Sequence, residues 1–348
     1  MNALFLEPLD VLYLRGNKLF GDAGSHGEAL MPPWPSLAAG ALRSRLMAAG
    51  ATLENLSDFR LTLFGLARQS TAHASLEPLW PLPADVVVNS DDLNGATYLR
   101  PQPLPAGLSS SYPLAQLPTL CADTPAKPVG GLWLNGAGIA AWLAGQAIVP
   151  AHLVRSSQLW QLDSRLGIAL DTEKRSAADG MIYTSEAVAL QANVGFIAAY
   201  AGHEQALQEG DLVRLGGDGR AARLQSGQLI LPATDWARIE REGRFRLILT
   251  TPGIFAAGWQ PEGVPGQLVA ASVSRADTIS GWDLVTQQPK PAQRIAPSGS
   301  VYWYQLSDKL AELEKLQQLA DNGLAINDPM RRAEGFNHCR IAPWAQEN

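Results

Sequence analysis

Cysteine is nearly absent: Cys121 and Cys339 are the only two in 348 residues, far apart and without metal-ligand spacing. Neither a disulfide framework nor a zinc site is indicated. Charge is scarce too. Only 17% of residues are charged against 46% apolar, a balance that excludes an intrinsically disordered chain. The sequence also lacks the unbroken apolar run of about 20 residues that a membrane helix needs. Its nearest approach, Leu132 to Val149, is interrupted by Asn135 and Gln146 and reads as a buried helix. The amino terminus has no leading positive charge, and Glu7 and Asp10 fall inside its apolar run, unlike a signal peptide. The expectation is a soluble, cytoplasmic protein with no membrane partner.

The familiar catalytic motifs are missing as well: no G-x-x-x-x-G-K-[ST], no H-E-x-x-H and no G-x-S-x-G. The five histidines, His26, His73, His152, His203 and His338, are scattered beyond metal-ligand spacing. Gly136-Ala137-Gly138-Ile139-Ala140-Ala141 matches G-x-G-x-x-A. Only Leu132-Trp133-Leu134 could form the strand before it, however, and Pro150 interrupts the segment before the nearest suitable acid, Asp163. Small residues for close helix packing explain it better than a dinucleotide site. No catalytic residue, metal or cofactor is expected.

Lysine is the last shortage. The 27 basic residues are 6 Lys and 21 Arg, and the net charge is −6. An acidic total counts against a free-standing nucleic-acid binder. Arginine nevertheless carries the planar fork that suits phosphate and base stacking.

At roughly 150 residues per domain the length suggests two domains. A strand from Leu4 is followed by a helix that Ser36 caps and Gly50 ends. Residues 78–128 hold 10 of the 24 prolines and read as edge strands and extended loops. Asn135 caps a helix ending near Gly145. Strands follow at Val194–Tyr200, Phe245–Leu249, Leu268–Val273 and Val301–Leu306, with a last short one at Cys339–Ala342. A hairpin turns through Gly216-Gly217-Asp218-Gly219. Thr234 starts a short helix, and Ser307 starts another with Leu310, Leu313, Leu316 and Leu319 on one face, closed by Gly323. Setting the hairpin aside, 192–343 runs β-α-β-β-α-β, the ferredoxin-like split order. The first half suggests a second, more decorated copy.

The Gly216–Gly219 turn can present backbone amides to phosphate, with Arg214, Arg220 and Arg223 flanking it. From 214 to 246 there are seven Arg against four acids. The basic residue and aromatic spacing of a standard RNA-recognition sheet are absent around Gly195-Phe196, so any RNA contact would run through loops and backbone.

Several blocks together give the chain a family resemblance. They are Glu7-Pro8-Leu9-Asp10 with Arg15-Gly16; Pro35-Ser36-Leu37-Ala38-Ala39-Gly40-Ala41-Leu42-Arg43; Arg165-Leu166-Gly167-Ile168 with Met181-Ile182-Tyr183; and Leu215-Gly216-Gly217-Asp218-Gly219-Arg220. Further along come Thr251-Pro252-Gly253-Ile254-Phe255 with Gly258-Trp259, Ile279-Ser280-Gly281-Trp282, Ser298-Gly299-Ser300-Val301-Tyr302 and Gly335-Phe336. In this order they resemble the family of third subunits of the Cmr complex, the RNA-guided effector of type III-B CRISPR systems, within the RAMP superfamily. Asp218 stands where the family usually has Glu, and Asn337 where its last loop usually has Gly.

The resemblance implies an α+β fold of two ferredoxin-like (RRM-like) domains with glycine-rich loops and proline-rich insertions. We place them at 1–165, with the insertion at about 78–128, and at 166–348. It implies a non-catalytic subunit that binds the 5′ tag of the guide RNA (crRNA) and joins the large polymerase-like Cmr subunit to the Cmr backbone subunit. Arg15, Arg43, Arg165, Lys174, Arg175 and Arg220 are the expected phosphate contacts. Gly216, Gly217 and Gly299 are expected to allow close backbone approach. The alternative is a metal-independent guide-RNA-processing endoribonuclease of the same superfamily, for which His26 and Tyr183 are the candidate acid and base.

Overall fold

The computed structural model describes residues 2–16, 26–69, 75–89, 93–120, 127–171, 173–174, 176–203, 207–283 and 286–345. Its main elements are β1 (Asn2–Pro8), α1 (Ser36–Ala48), β2 (Arg60–Gln69), β3 (Ser75–Pro81), β4 (Leu132–Leu134), α2 (Gly136–Leu143), β5 (Leu153–Arg155), β6 (Trp160–Asp171), β7 (Ser176–Leu190), β8 (Val194–Ala201), β9 (Leu212–Arg214) and β10 (Ala221–Leu229). They continue with α3 (Trp236–Glu242), β11 (Arg244–Leu249), β12 (Gln267–Ser272), β13 (Val301–Gln305), α4 (Lys309–Asn322), α5 (Pro329–Ala333) and β14 (Cys339–Pro343). The protein is mixed α and β, with strands in the majority and divided among several sheets.

The large sheet has eight strands in the order β5-β4-β3-β2-β8-β1-β10-β9. β3 also pairs in parallel with β10, Ser75 and Leu76 lying opposite Gln228 and Leu229. That pairing closes β3, β2, β8, β1 and β10 into a ring. Its inner side is filled by Ala3, Phe5, Ala67, Leu76, Ile197 and Leu229. Two glycines permit the closure: a Cβ on Gly195 would stand 2.6 Å from the Phe5 ring, and one on Gly227 would stand 2.6 Å from Leu76. The other side packs on α1 through Leu6, Phe64, Leu66, Phe196 and Ala198 against Ala38, Leu42 and Leu46.

The second sheet has the order β12-β13-β11-β14, antiparallel throughout. One face meets Leu316 of α4 through Leu247, Leu249, Tyr302 and Ile341. The other meets α2, where Ile139 and Trp142 pack with Ile248, Val301, Trp303 and Ala342. Taken by rank along the chain, β10-β1-β8-β2 and β14-β11-β13-β12 have the same spatial order: fourth, first, third, second.

Several expectations change. The split order read over 192–343 fails because β8 belongs to the large sheet, between β1 and β2. Its first six residues are buried without a break, as a strand covered on both faces requires. The hairpin supplies β9 and β10, and β10 pairs with β1 in that sheet. Pro78 and Pro81 lie inside the sheet, opposite Ala67 and Trp133. They fit because each side of β3 is paired along only part of its length, so a missing N–H need not interrupt a ladder. The helix starts also move. Pro35, Asp235 and Asp308 occupy the N-cap positions, not Ser36, Thr234 and Ser307, and the two aspartates accept from Arg238 and Ala311 N–H. Asn135 does cap α2, accepting from Gly138 N–H at 2.9 Å. Leu310 points to solvent, 75% exposed, because three-residue steps drift it about 120° from Leu316.

Candidate nucleic-acid interface

Between β1 and α1 the chain runs past two other elements. Leu12 exchanges backbone hydrogen bonds with Val188 of β7, at 2.9 and 2.8 Å. One residue on, the Tyr13 carbonyl accepts from Gly217 N–H at 2.8 Å. Tyr13 therefore sits between the long β6–β7 hairpin and the glycine turn. The turn needs its glycines here. Gly216 has φ +85° and a Cβ on it would fall 2.7 Å from the Tyr13 carbonyl, while Gly219 has φ +66°. Asp218 takes φ +57° without being glycine, a conformation that Asp tolerates better than most residues.

Two of the expected arginines meet at Tyr13. The Arg220 guanidinium lies 5.4 Å from the Tyr13 ring centroid, within cation–π range. It also pairs with Asp10 and, at 3.7 Å, with Asp218. Its Nε is buried with no hydrogen-bond partner among the described residues. Arg165, on β6, donates to Asp163 Oδ2 from Nε at 2.9 Å and from Nη2 at 2.8 Å. Its hydrogen bonds to Asp163 and to the Tyr13 side chain push its pKa up from the usual value. Arg165, Gly216, Gly217 and Arg220 thus form one cluster around Tyr13.

The remaining expected residues stand apart. Arg15 is exposed two residues beyond Tyr13, in a backbone bridge with Ala29. Arg43, on α1, places its guanidinium 5.9 Å from the Phe59 ring. Lys174 is exposed at the hairpin end, 3.7 Å from Asp171; Arg175 lies outside the described residues. Gly299 is not at the cluster. It has φ +87°, and its nearest neighbours are Leu82 and Pro81. The adjacent Pro297 and Ser298 line a cavity of about 520 Å³ together with Trp34, Trp80 and Arg340.

The hairpin explains one of the sequence blocks. Gly167 faces Tyr183 across β6 and β7, and a Cβ on Gly167 would stand 2.2 Å from Cζ of the tyrosine. The ring covers the glycine, a cross-strand pairing that pins register. His26 hydrogen-bonds to Thr184 Oγ1 at 2.8 Å and lies 3.5 Å from Glu186. Successive strand residues face opposite sides, so His26 lies with Thr184 and Glu186, and Tyr183 is on the other face.

Two of the seven arginines between 214 and 246 are internal. Arg246 is fully buried against Asp85, with Trp142 and Tyr98 rings at 4.3 and 4.9 Å. Arg238 binds Glu242 and the carbonyls of Ala144 and Trp344. Tyr13, Asp10 and Asp163 are not among the site residues expected from the sequence. Tyr13 lies in an apolar run that reads as core, and its one signal is its place just before Arg15-Gly16. Among the described residues, no group of three or more His, Cys, Asp or Glu is placed to hold a metal ion. No helix among them is long and apolar enough to cross a membrane.

Comparison with known proteins follows the same direction. No curated protein matches the sequence. A chain from a cryo-EM structure of the type III-B Cmr-beta complex, bound to cognate target RNA and AMPPnP (state 1), is 14% identical with a TM-score of 0.55. The match covers 97% of this chain and 98% of that one. A second, from the Cmr-beta complex bound to cognate target RNA, is 15% identical with a TM-score of 0.52, covering 95% and 91%. The family profile described as CRISPR-associated protein (Cas_Cmr3) matches residues 4–344. With that match spanning nearly its whole length, the chain belongs to the Cas_Cmr3 family of CRISPR-associated proteins.

Proposed function

We propose that this chain is a subunit of the type III-B Cmr effector, a non-catalytic holder of the guide RNA's 5′ tag, joining the large polymerase-like subunit to the Cmr backbone subunit. The observation that carries the proposal is the cluster at Tyr13. Two arginines from distant parts of the chain converge on one tyrosine beside a turn whose Gly216 and Gly217 pack on Tyr13 and whose Gly219 is open on its Cβ side. Guanidinium and turn amides are the donors that phosphate oxygens take. The closed ring of the large sheet favours loop contact, since its inner face is occupied by Phe5, Leu76 and Ile197. The similar Cmr-beta structures contain RNA, which agrees with an RNA-facing role. Arg15, Lys174 and Arg175 would extend the phosphate track, Arg43 would add to it from α1, and Gly299 would serve a separate contact. The repeated fourth-first-third-second strand order supports two ferredoxin-like units. The first would close with β10 and the second open near α3, later than residue 165.

The test is retention of tagged and untagged guide RNA by the protein, alone and reassembled with the other Cmr subunits. Tag-dependent retention without cleavage is expected, and Arg220→Ala should weaken it roughly 10-fold, the effect of one lost charge-assisted contact. Cleavage by the protein without partners would overturn the proposal in favour of the endoribonuclease. Retention indifferent to the tag in the full complex would overturn tag recognition.

A further inference from the structure

The cations expected to meet RNA share a feature that their positions alone do not require. Each one described with an ion pair is paired with an acid of its own chain. Arg220 holds Asp10 and Asp218, Arg165 holds Asp163, and Lys174 holds Asp171. Arg223, beside the turn, adds Glu7 at 3.6 Å. At the turn the acids are on the solvent side: the side chains of Asp10 and Asp218 are 56% and 70% exposed against 22% for Arg220, while Arg165 and Asp163 share the surface about equally. Tyr13, by contrast, holds Arg220 against its ring, a contact that orients a guanidinium without cancelling its charge.

We propose that Asp10 and Asp163 are specificity-determining residues of the RNA site: they mask Arg220 and Arg165 until an RNA that fits the whole site displaces them. The inference rests on the guide-RNA reading above and adds how that site rejects other RNA. Non-specific binding to a polyanion is driven by exposed cations that replace the polymer's counterions. A cation already neutralised by a carboxylate gains little from a stray phosphate. Specificity often requires such an element working against the wrong partner. An exposed ion pair is weak enough to be exchanged. A ligand that also engages the turn amides and Tyr13's neighbours can displace the carboxylate, whereas an RNA touching one arginine cannot. The acidic total of the chain then has a local use at the site.

The experiment uses the full-length protein and the reassembled complex, with Asp10→Asn, Asp163→Asn and the double variant. The probes are a uridine homopolymer and guide RNA with and without its tag. The double variant should bind homopolymer roughly 10-fold more tightly at low salt, with a salt slope steeper by about 0.7 for each freed arginine. Its preference for tagged over untagged guide RNA in the complex should fall by a similar factor. Asp10→Glu, which keeps the charge, should behave as the parent. Unchanged or weaker homopolymer binding by the folded Asn variants would overturn the masking. Should a single Asn variant not fold, the other acid's variant alone must still steepen the slope, and an unaltered slope there would overturn it equally. The two readings fail separately. A homopolymer gain in a complex that ignores the tag leaves masking standing without tag recognition. Tag preference with no gain in the variants does the reverse.

Discussion

At the scale of the residue, Asn337 shows how a departure from a family's pattern can be structurally complete. It takes φ +64° inside the fully buried Gly335-Phe336-Asn337 loop, in the position where the family usually has glycine. Asn is among the few residues that enter this region at modest cost. Its amide then does what glycine cannot. Oδ1 accepts from Ile254 N–H at 2.7 Å, and Nδ2 donates to the carbonyls of Ile254 and Ala325 at 3.1 and 2.8 Å. Asn337→Ala should therefore cost roughly 2–4 kcal/mol, combining an unfavourable φ with buried groups left unpaired. Asn337→Gly should cost roughly half as much, since only the bonds are lost. Chemical denaturation of the two variants checks the order; equal losses would mean that φ contributes nothing. The tolerance of Asn for this loop was legible in the sequence. Its three partners were not, because Ile254 and Ala325 reach it only through the fold.

At the scale of the element, a buried group of charges joins the segment between β2 and β8 to the second sheet alongside the apolar packing of α2. Asp85 accepts from Trp142 Nε1 at 2.8 Å and from Arg246 at 2.5 Å, and Arg246 also donates to the carbonyls of Pro343 and Trp142. Burial pushes the Asp85 carboxyl up, while Arg246 and Trp142 pull it down. The pair joins the proline-rich stretch, α2, β11 and β14. Removing one partner would leave the other charge buried without compensation. Asp85→Ala should thus lose roughly 3–5 kcal/mol. The loss should appear as faster hydrogen exchange in both α2 and β14, and exchange confined to 84–88 would contradict a joint role. From the sequence, Arg246 belonged to a basic stretch, and only its place on β11 shows that it faces α2. Local signals did better with α2 itself. Asn135 caps it, and Gly138 is small because a Cβ there would meet the His152 carbonyl at 2.8 Å.

At the scale of the whole molecule, the two sheets meet through His338, whose Nε2 donates to the Leu61 carbonyl of β2 at 3.0 Å. Its pKa is lowered, chiefly by burial and further by Arg340 and Arg332, against a bond to Leu61 that raises it. A histidine kept neutral in the folded state is protonated first in the unfolded chain. Stability is therefore full above the unfolded value near 6.5 and falls as the pH drops below it. Melting temperature should decline between about pH 7 and pH 5.5, and His338→Gln should flatten that decline; an equal slope in the variant would assign it to other groups. The sequence by itself determined the strands near Val194, Phe245, Leu268, Val301 and Cys339, the cap at Asn135 and the Gly216–Gly219 turn. These rest on periodicity and turn chemistry, which are local, while the order of the motif blocks carried the family resemblance. Only the tertiary structure decided that β8 completes the first sheet, that Arg238 and Arg246 turn inward, and that Arg165 and Arg220 meet at Tyr13. The physical reason is that strand pairing and charge burial join residues far apart along the chain. The same arginine is solvated, masked or internal according to the carboxylate and ring that the fold brings to it.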